Sequence, residues 1–174
     1  SLQLIEKAFK KKGKYSGIAS GFADLDNMLG GLQNSDLIIL AGRPSMGKTA
    51  LATNIAFNTA KFFSKEQDEG SVVMFSLEMS AEQIGLRILA EQSKIPSDKI
   101  RKGELNEKDS LALQNTYQEI NNLKFFFDDS PNLTVSELRS KLRRYKNNYK
   151  IKLVLIDYLQ LLKPESNRDN RVNE

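Results

Sequence analysis

The sequence of 174 residues contains no cysteine and no histidine. A chain without cysteine forms no disulfide bond, which fits a reducing compartment. Because both residue types are missing, serine-protease triads, Cys–His nucleophile pairs and ordinary structural zinc sites are excluded. Any acid–base chemistry therefore depends on Asp, Glu, Lys or Tyr, or on a metal-bound water.

Long apolar runs are also missing from the sequence. No run approaches the ~20 residues of a membrane span, and the N-terminal residues lack the apolar core of a secretory signal. We therefore expect a cytoplasmic protein without a membrane partner. The length suits one α/β domain with a sizeable core, and the formal net charge of +4 permits an anionic partner without requiring one.

Apolar runs alternate with amphipathic segments along the chain. Residues 36–41, "DLIILA", have the continuous apolar character of a buried parallel strand. Three later runs have the same character, at residues 71–77, 124–129 and 152–157. Helical periodicity lies between them, and two of the helices begin with the spacing of a capping box, at Ser80–Gln83 and Thr134–Glu137. The alternation predicts an α/β fold, a mostly parallel sheet flanked by helices. Since no closing helix follows the last strand, we expect this fold to be incomplete at the C-terminus.

A phosphate-binding pattern, G-x-x-x-x-G-K-[ST], lies between the predicted strand at 36–41 and a predicted helix. Glycines let successive N–H groups point at phosphate oxygens, and the start of the helix adds the positive end of its dipole. In such loops the lysine reaches the β- and γ-phosphates and the hydroxyl coordinates Mg²⁺. The pattern predicts binding of a nucleoside triphosphate by residues Gly42, Arg43, Pro44, Ser45, Met46, Gly47, Lys48 and Thr49.

Two acidic residues stand at the ends of predicted strands. Asp157 ends the run at 152–157, where the carboxyl ends of parallel strands gather, so we predict that it holds Mg²⁺ through water. Glu78 ends the run at 71–77 and is a candidate for orienting the attacking water in a chain without histidine. The spacing leaves a second interpretation of Glu78 open, namely an acid that favours the dipole of the following helix.

Four segments together resemble the RecA-like motor domain of DnaB-type replicative DNA helicases. They are "SGFADLDNMLGGL", "LIILAGRPSMGKTALA", "FSLEMS" and "LVLIDYLQLL", in this order, and the similarity runs from about Ser16 to Leu162. The resemblance implies a RecA-like P-loop NTPase core that uses ATP and Mg²⁺. It implies that Glu78 is the catalytic carboxylate and that Lys48, Thr49 and Asp157 have the roles described above. It also implies a linker helix and its connection in residues 1–15 and a partial ATPase domain in residues 16–174.

The resemblance carries expectations about activity and partners. Similar helicases are homohexameric rings that hydrolyse ATP, translocate on single-stranded DNA and unwind the duplex at the replication fork, with primase and a helicase loader as partners. In that family a glutamine sensor, DNA-contacting loops and an arginine finger follow the "DYLQL" strand, and this sequence does not include them. We therefore expect the 174-residue chain alone to bind nucleotide weakly and not to unwind DNA.

Two other functions stay open at this point. A recombinase-type filament ATPase would share the fold and the chemistry, although such loops usually carry Pro-Gly where this chain has Pro44-Ser45. A non-enzymatic nucleotide switch or loader-like module would bind ATP without a carboxylate that activates water. The role of Glu78 decides between that module and an ATPase.

Overall fold

The computed structural model describes residues 15–43, 45–158 and 162. The linker helix expected before Tyr15 lies outside the described residues. Within them the chain forms six helices and three strands, in the order α1 (Ala23–Leu29), α2 (Lys48–Lys65), β1 (Gly70–Ser76), α3 (Ala81–Ser93), α4 (Ser97–Lys102), α5 (Glu107–Asn121), β2 (Phe125–Asp128), α6 (Val135–Asn148) and β3 (Lys150–Asp157).

The three strands form one parallel sheet with the order β2-β1-β3. Strand β1 is central, and all seven of its residues are buried. Val72 pairs with Phe125 on one side and with Leu153 on the other. Because the strands run in one direction, their carboxyl ends lie at the same edge of the sheet. The α/β prediction is confirmed.

Helices cover both faces of the sheet. On one face Met74 packs with residues of α2 and α3, among them Phe57 and Ile84. On the other face Val73 and Phe75 pack against Leu138 of α6. Successive residues of β1 therefore enter different cores, as the two-residue period of a strand requires. This three-layer arrangement holds the start of α2 and the ends of the strands in fixed relative positions.

Both predicted capping boxes are present. Ser80 Oγ accepts a hydrogen bond from the Gln83 N–H at 3.3 Å, and Gln83 Oε1 accepts from the Ser80 N–H at 3.2 Å. Thr134 and Glu137 exchange the equivalent bonds at the start of α6. These reciprocal bonds satisfy N–H groups that a helix start otherwise leaves unpaired. The short helix α4 has no counterpart among the sequence predictions.

The segment before the phosphate-binding pattern is tied to α2. Ile18 and Leu32 form an antiparallel bridge, and buried Asp26 accepts a hydrogen bond from the Ser20 N–H at 2.8 Å. Thr59 of α2 donates its hydroxyl hydrogen to the Ala19 carbonyl at 2.9 Å. The contacts brace the helix whose first residue is Lys48.

The strand predicted at residues 36–41 is wrong. The structure has no strand there, and four of these apolar side chains are exposed, by 85%, 52%, 74% and 42% for Leu37, Ile38, Ile39 and Leu40. A parallel strand exists only through hydrogen bonds to a neighbouring strand. No residue in the described part of the chain forms such a ladder with this run. Apolar composition predicted the burial, but the partner that burial requires is not among these residues.

Candidate active site

The phosphate-binding pattern forms an open turn that leads into α2. The Met46 N–H donates to the Arg43 carbonyl at 3.3 Å, and the Leu51 N–H donates to the Gly47 carbonyl at 2.9 Å, which begins the helix. Gly47 has φ of 84°, a left-handed conformation that favours glycine. A Cβ atom at Gly42 or Gly47 would meet nothing within 4 Å, so space is open beside both positions. Pro44 lies outside the described residues.

Lys48 and Asp157 are brought together, as expected for a loop at the carboxyl ends of parallel strands. Lys48 Nζ lies 3.1 Å from Asp157 Oδ1, and the two side chains are 26% and 5% exposed. The other carboxylate oxygen, Asp157 Oδ2, is buried and has no hydrogen-bond partner among the described residues. A buried carboxylate oxygen without a partner is costly, so this oxygen has unused capacity to accept a ligand.

Glu78 is exposed and follows the end of β1. The preceding residue, Leu77, donates its N–H to the Asp157 carbonyl at 2.7 Å, so the turn that carries Glu78 is joined to the end of β3. Ser76 braces this turn, because its Oγ donates to the Met79 carbonyl at 2.7 Å and accepts from the Met79 N–H at 3.1 Å. The backbone of Glu78 therefore has a fixed origin beside Asp157, while its side chain is exposed to solvent.

The aromatic ring of Tyr158 is a part of the site that the sequence reasoning missed. Lys48 Nζ lies 3.9 Å from the centroid of this ring, within the range of a cation–π contact. Tyr158 directly follows Asp157, so its position next to the site was visible in the sequence. The contact itself was not, because it depends on where the end of β3 meets α2.

Other acidic side chains at this edge are engaged in structural contacts. Asp128, at the end of β2, accepts a hydrogen bond from Lys141 Nζ at 2.6 Å and another from the Ser130 N–H at 3.1 Å. Burial raises the pKa of Asp128, but the bonds from Lys141 and Ser130 outweigh it and hold the pKa below its usual value. Asp129 Oδ2 accepts from the Ala81 N–H at 2.9 Å. Asp157, with its unpartnered buried oxygen, differs from both of these acids.

The residues present fit a magnesium ion that shares its ligands with a nucleotide. Mg²⁺ commonly binds through one or two protein oxygens together with phosphate oxygens and water. Half-buried Thr49 and the unpartnered Asp157 Oδ2 supply oxygens of this kind. Within residues 15–43, 45–158 and 162, no group of three or more acidic side chains could hold a metal by itself. Among those same residues, no helix is long and apolar enough to cross a membrane.

A family model for the DnaB-like helicase C-terminal domain matches residues 17–174. The chain belongs to this family. One relative, the replicative DNA helicase DnaB of Rickettsia typhi, is 46% identical over all of this chain. Another, the replicative DNA helicase DnaC of Bacillus subtilis, is 44% identical over 98% of it. The chain spans 36% and 37% of the lengths of these two DnaB-like relatives.

Solved structures agree with the family assignment. The structure of an isolated ATPase domain matches 98% of this chain and 59% of its own, with a TM-score of 0.84 and 30% identity. A structure of a DnaB-like replicative helicase and its interactions with primase matches 98% of this chain and 40% of its own, with a TM-score of 0.82 and 30% identity. The fold of this DnaB-like domain is therefore the RecA-like ATPase core that its motifs indicated.

Proposed function

We propose that this chain is part of an ATP-dependent replicative DNA helicase and carries its ATP-hydrolysing site. The observation that carries the proposal is the 3.1 Å contact between Lys48 Nζ and Asp157 Oδ1 beside an open phosphate-binding turn. Membership of the DnaB-like family supports a helicase over a recombinase-type filament ATPase.

The proposed site assigns ATP and Mg²⁺ to the end of the sheet that carries the turn. The backbone of residues 42–47 binds the phosphate chain, and Lys48 offsets the charge of the terminal phosphates. Thr49 and Asp157 hold Mg²⁺, which when bound neutralises charge that develops on the phosphate oxygens. Glu78 orients the attacking water and accepts its proton at a carboxylate oxygen.

The intact protein is proposed to work as a homohexameric ring on single-stranded DNA in the cytoplasm. Support comes from the bacterial relatives, which are named replicative DNA helicases. A primase partner is supported by the DnaB-like helicase whose structure describes its interactions with primase, and a helicase loader is proposed on the family resemblance alone. Because the grip on DNA would consist of phosphate contacts, we expect DNA binding by the ring to weaken as salt rises.

Replacing Glu78 tests the catalytic assignment. In the intact protein we expect Glu78→Gln to lower the rate of phosphate release from ATP by about 10²-fold or more, because the water loses its proton acceptor. Binding of a fluorescent ATP analogue in Mg²⁺ should stay close to that of the unchanged protein, since Glu78 is not assigned to the nucleotide.

A matched control separates this role from a helix-dipole role. Glu82 is an exposed glutamate in the first turn of α3, where it also favours the helix dipole. Glu82→Gln should leave hydrolysis unchanged. Equal activity of the Glu78→Gln protein and the unchanged protein would remove the catalytic role and favour a nucleotide switch. Failure of the unchanged protein to bind ATP would end the ATPase proposal as a whole.

A further inference from the structure

The ammonium group of Lys48 has two claims on it. In the structure it contacts Asp157 Oδ1 at 3.1 Å and the ring of Tyr158 at 3.9 Å. The proposed function requires the same ammonium to bind nucleotide phosphates. Since an ammonium has three hydrogens and one positive charge, phosphates that approach Lys48 must compete with the carboxylate for it.

The pair is shielded enough for this competition to matter. The Asp157 side chain is only 5% exposed, whereas an exposed ion pair in water contributes little. Lower exposure reduces dielectric screening and strengthens the attraction. The Tyr158 ring adds a cation–π contact to the same ammonium. Both contacts therefore hold Lys48 on the β3 side of the site.

We propose that Asp157 competes with the nucleotide for Lys48 and thereby makes tight nucleotide binding conditional on Mg²⁺. Asp157 exchanges its ammonium partner for the metal, which leaves Lys48 free for the phosphates. The buried Oδ2 of Asp157, which has no partner within the described residues, can accept the metal or its bound water. Tyr158 is then a positioning residue that acts through Lys48. This inference rests on the proposed function and deepens it.

The inference makes a prediction with opposite signs in two conditions. In the intact protein, Asp157→Asn should tighten binding of fluorescent ADP in excess EDTA by about three- to tenfold, because it weakens the hold on Lys48. In excess Mg²⁺ the same substitution should weaken ADP binding, because the metal loses its carboxylate. Fluorescence titration measures both, and circular dichroism checks that the variant is folded.

Simple charge repulsion is the competing explanation, because Asp157 would repel phosphates whether or not it holds Lys48. A double-mutant cycle separates the two. In a Lys48→Met background, competition predicts that Asp157→Asn has no effect on the metal-free affinity, whereas repulsion predicts the same tightening in both backgrounds. Equal tightening would overturn the proposal.

Tyr158 provides a second test without any change of charge. Tyr158→Leu removes the ring face and should tighten metal-free ADP binding by about two- to fivefold, while Tyr158→Phe keeps the ring and should match the unchanged protein. If Asp157→Asn and Tyr158→Leu both leave metal-free binding unchanged or weaker, the competition does not exist. The ATP site itself would survive that result as long as the unchanged protein binds ADP in Mg²⁺.

Discussion

Carboxylates in this chain differ in how completely their oxygens are used. Asp68 Oδ1 accepts a hydrogen bond from the Gly70 N–H at 2.8 Å, and Asp68 Oδ2 accepts one from Lys152 Nζ. Asp157, in contrast, has one oxygen without a partner in the described part of the chain. A fully partnered carboxylate stabilises the fold, whereas an oxygen left over at a strand end is available for chemistry. Asp68 and Asp157 should therefore respond differently to substitution.

Substitution of Asp68 should change how stability depends on pH. The hydrogen bond from Lys152, opposed by burial and assisted by the Gly70 N–H, holds the pKa of Asp68 below its usual 3.8. A lowered pKa contributes stability above the usual value and loses it as pH falls through the folded-state value. Asp68→Asn should lower the free energy of unfolding by about 0.5–1 kcal/mol at pH 7, allowing for solvent screening. The difference should shrink below about pH 4.

Urea denaturation at several pH values measures this effect. Glu69→Gln is the matched control, because the neighbouring Glu69 contacts Lys150 only at 3.5 Å and its side chain is 77% exposed. We expect little change for that control at any pH. A difference for Asp68→Asn that stays constant from pH 7 to acid conditions would contradict the linkage to its titration.

At the scale of elements, the start of α6 depends on one threonine. The hydroxyl of Thr134 accepts from the Glu137 N–H at 3.3 Å and donates to Glu137 Oε2 at 3.0 Å. The pKa of Glu137 is lowered, first by the bond from the Thr134 N–H and then by the bond from its hydroxyl. The helix carries Leu138, which is buried against the sheet, so a frayed start would loosen one of the two cores.

Thr134→Ala should lower the free energy of unfolding by about 1 kcal/mol, because it leaves an N–H of the first turn without its cap. The pKa of Glu137, followed by NMR, should move up toward its usual value. Ser140→Ala is the control within the same helix: the Ser140 hydroxyl donates to the Ser136 carbonyl at 2.9 Å, a bond that helices do not need. Its stability should be unchanged or slightly higher, and an equal loss in both variants would contradict the cap.

What the sequence could predict follows the range of the interactions involved. Helix α6 and the capping box of Ser80 were predicted because their signals lie within a few residues. The approach of Lys48 to Asp157 followed from the rule that parallel strands share a carboxyl edge. The ring contact of Tyr158 and the strand at residues 36–41 depend on groups distant in sequence, so local patterns could not settle them.

At the scale of the whole molecule, the sheet and the apolar run at residues 36–41 are mismatched. Within the described residues β3 pairs only with β1, so one of its edges carries N–H and C=O groups without a ladder. Leu37 and Ile39 expose 85% and 74% of their surfaces. An open strand edge and contiguous exposed apolar side chains both favour association with another chain. The 174-residue chain should therefore self-associate.

Charged substitutions in the run test this expectation. Leu37→Lys combined with Ile39→Lys should lower the average mass of the 174-residue chain, measured by light scattering over a concentration series, because charge interrupts the apolar surface. Helical content should not change, since both side chains are exposed and lie outside the helices. Leu111→Lys is the control: Leu111 is 60% exposed on α5 but stands apart from the run. A chain that is monomeric without substitution, or one whose association falls equally with Leu111→Lys, would show that residues 36–41 do not drive the contact.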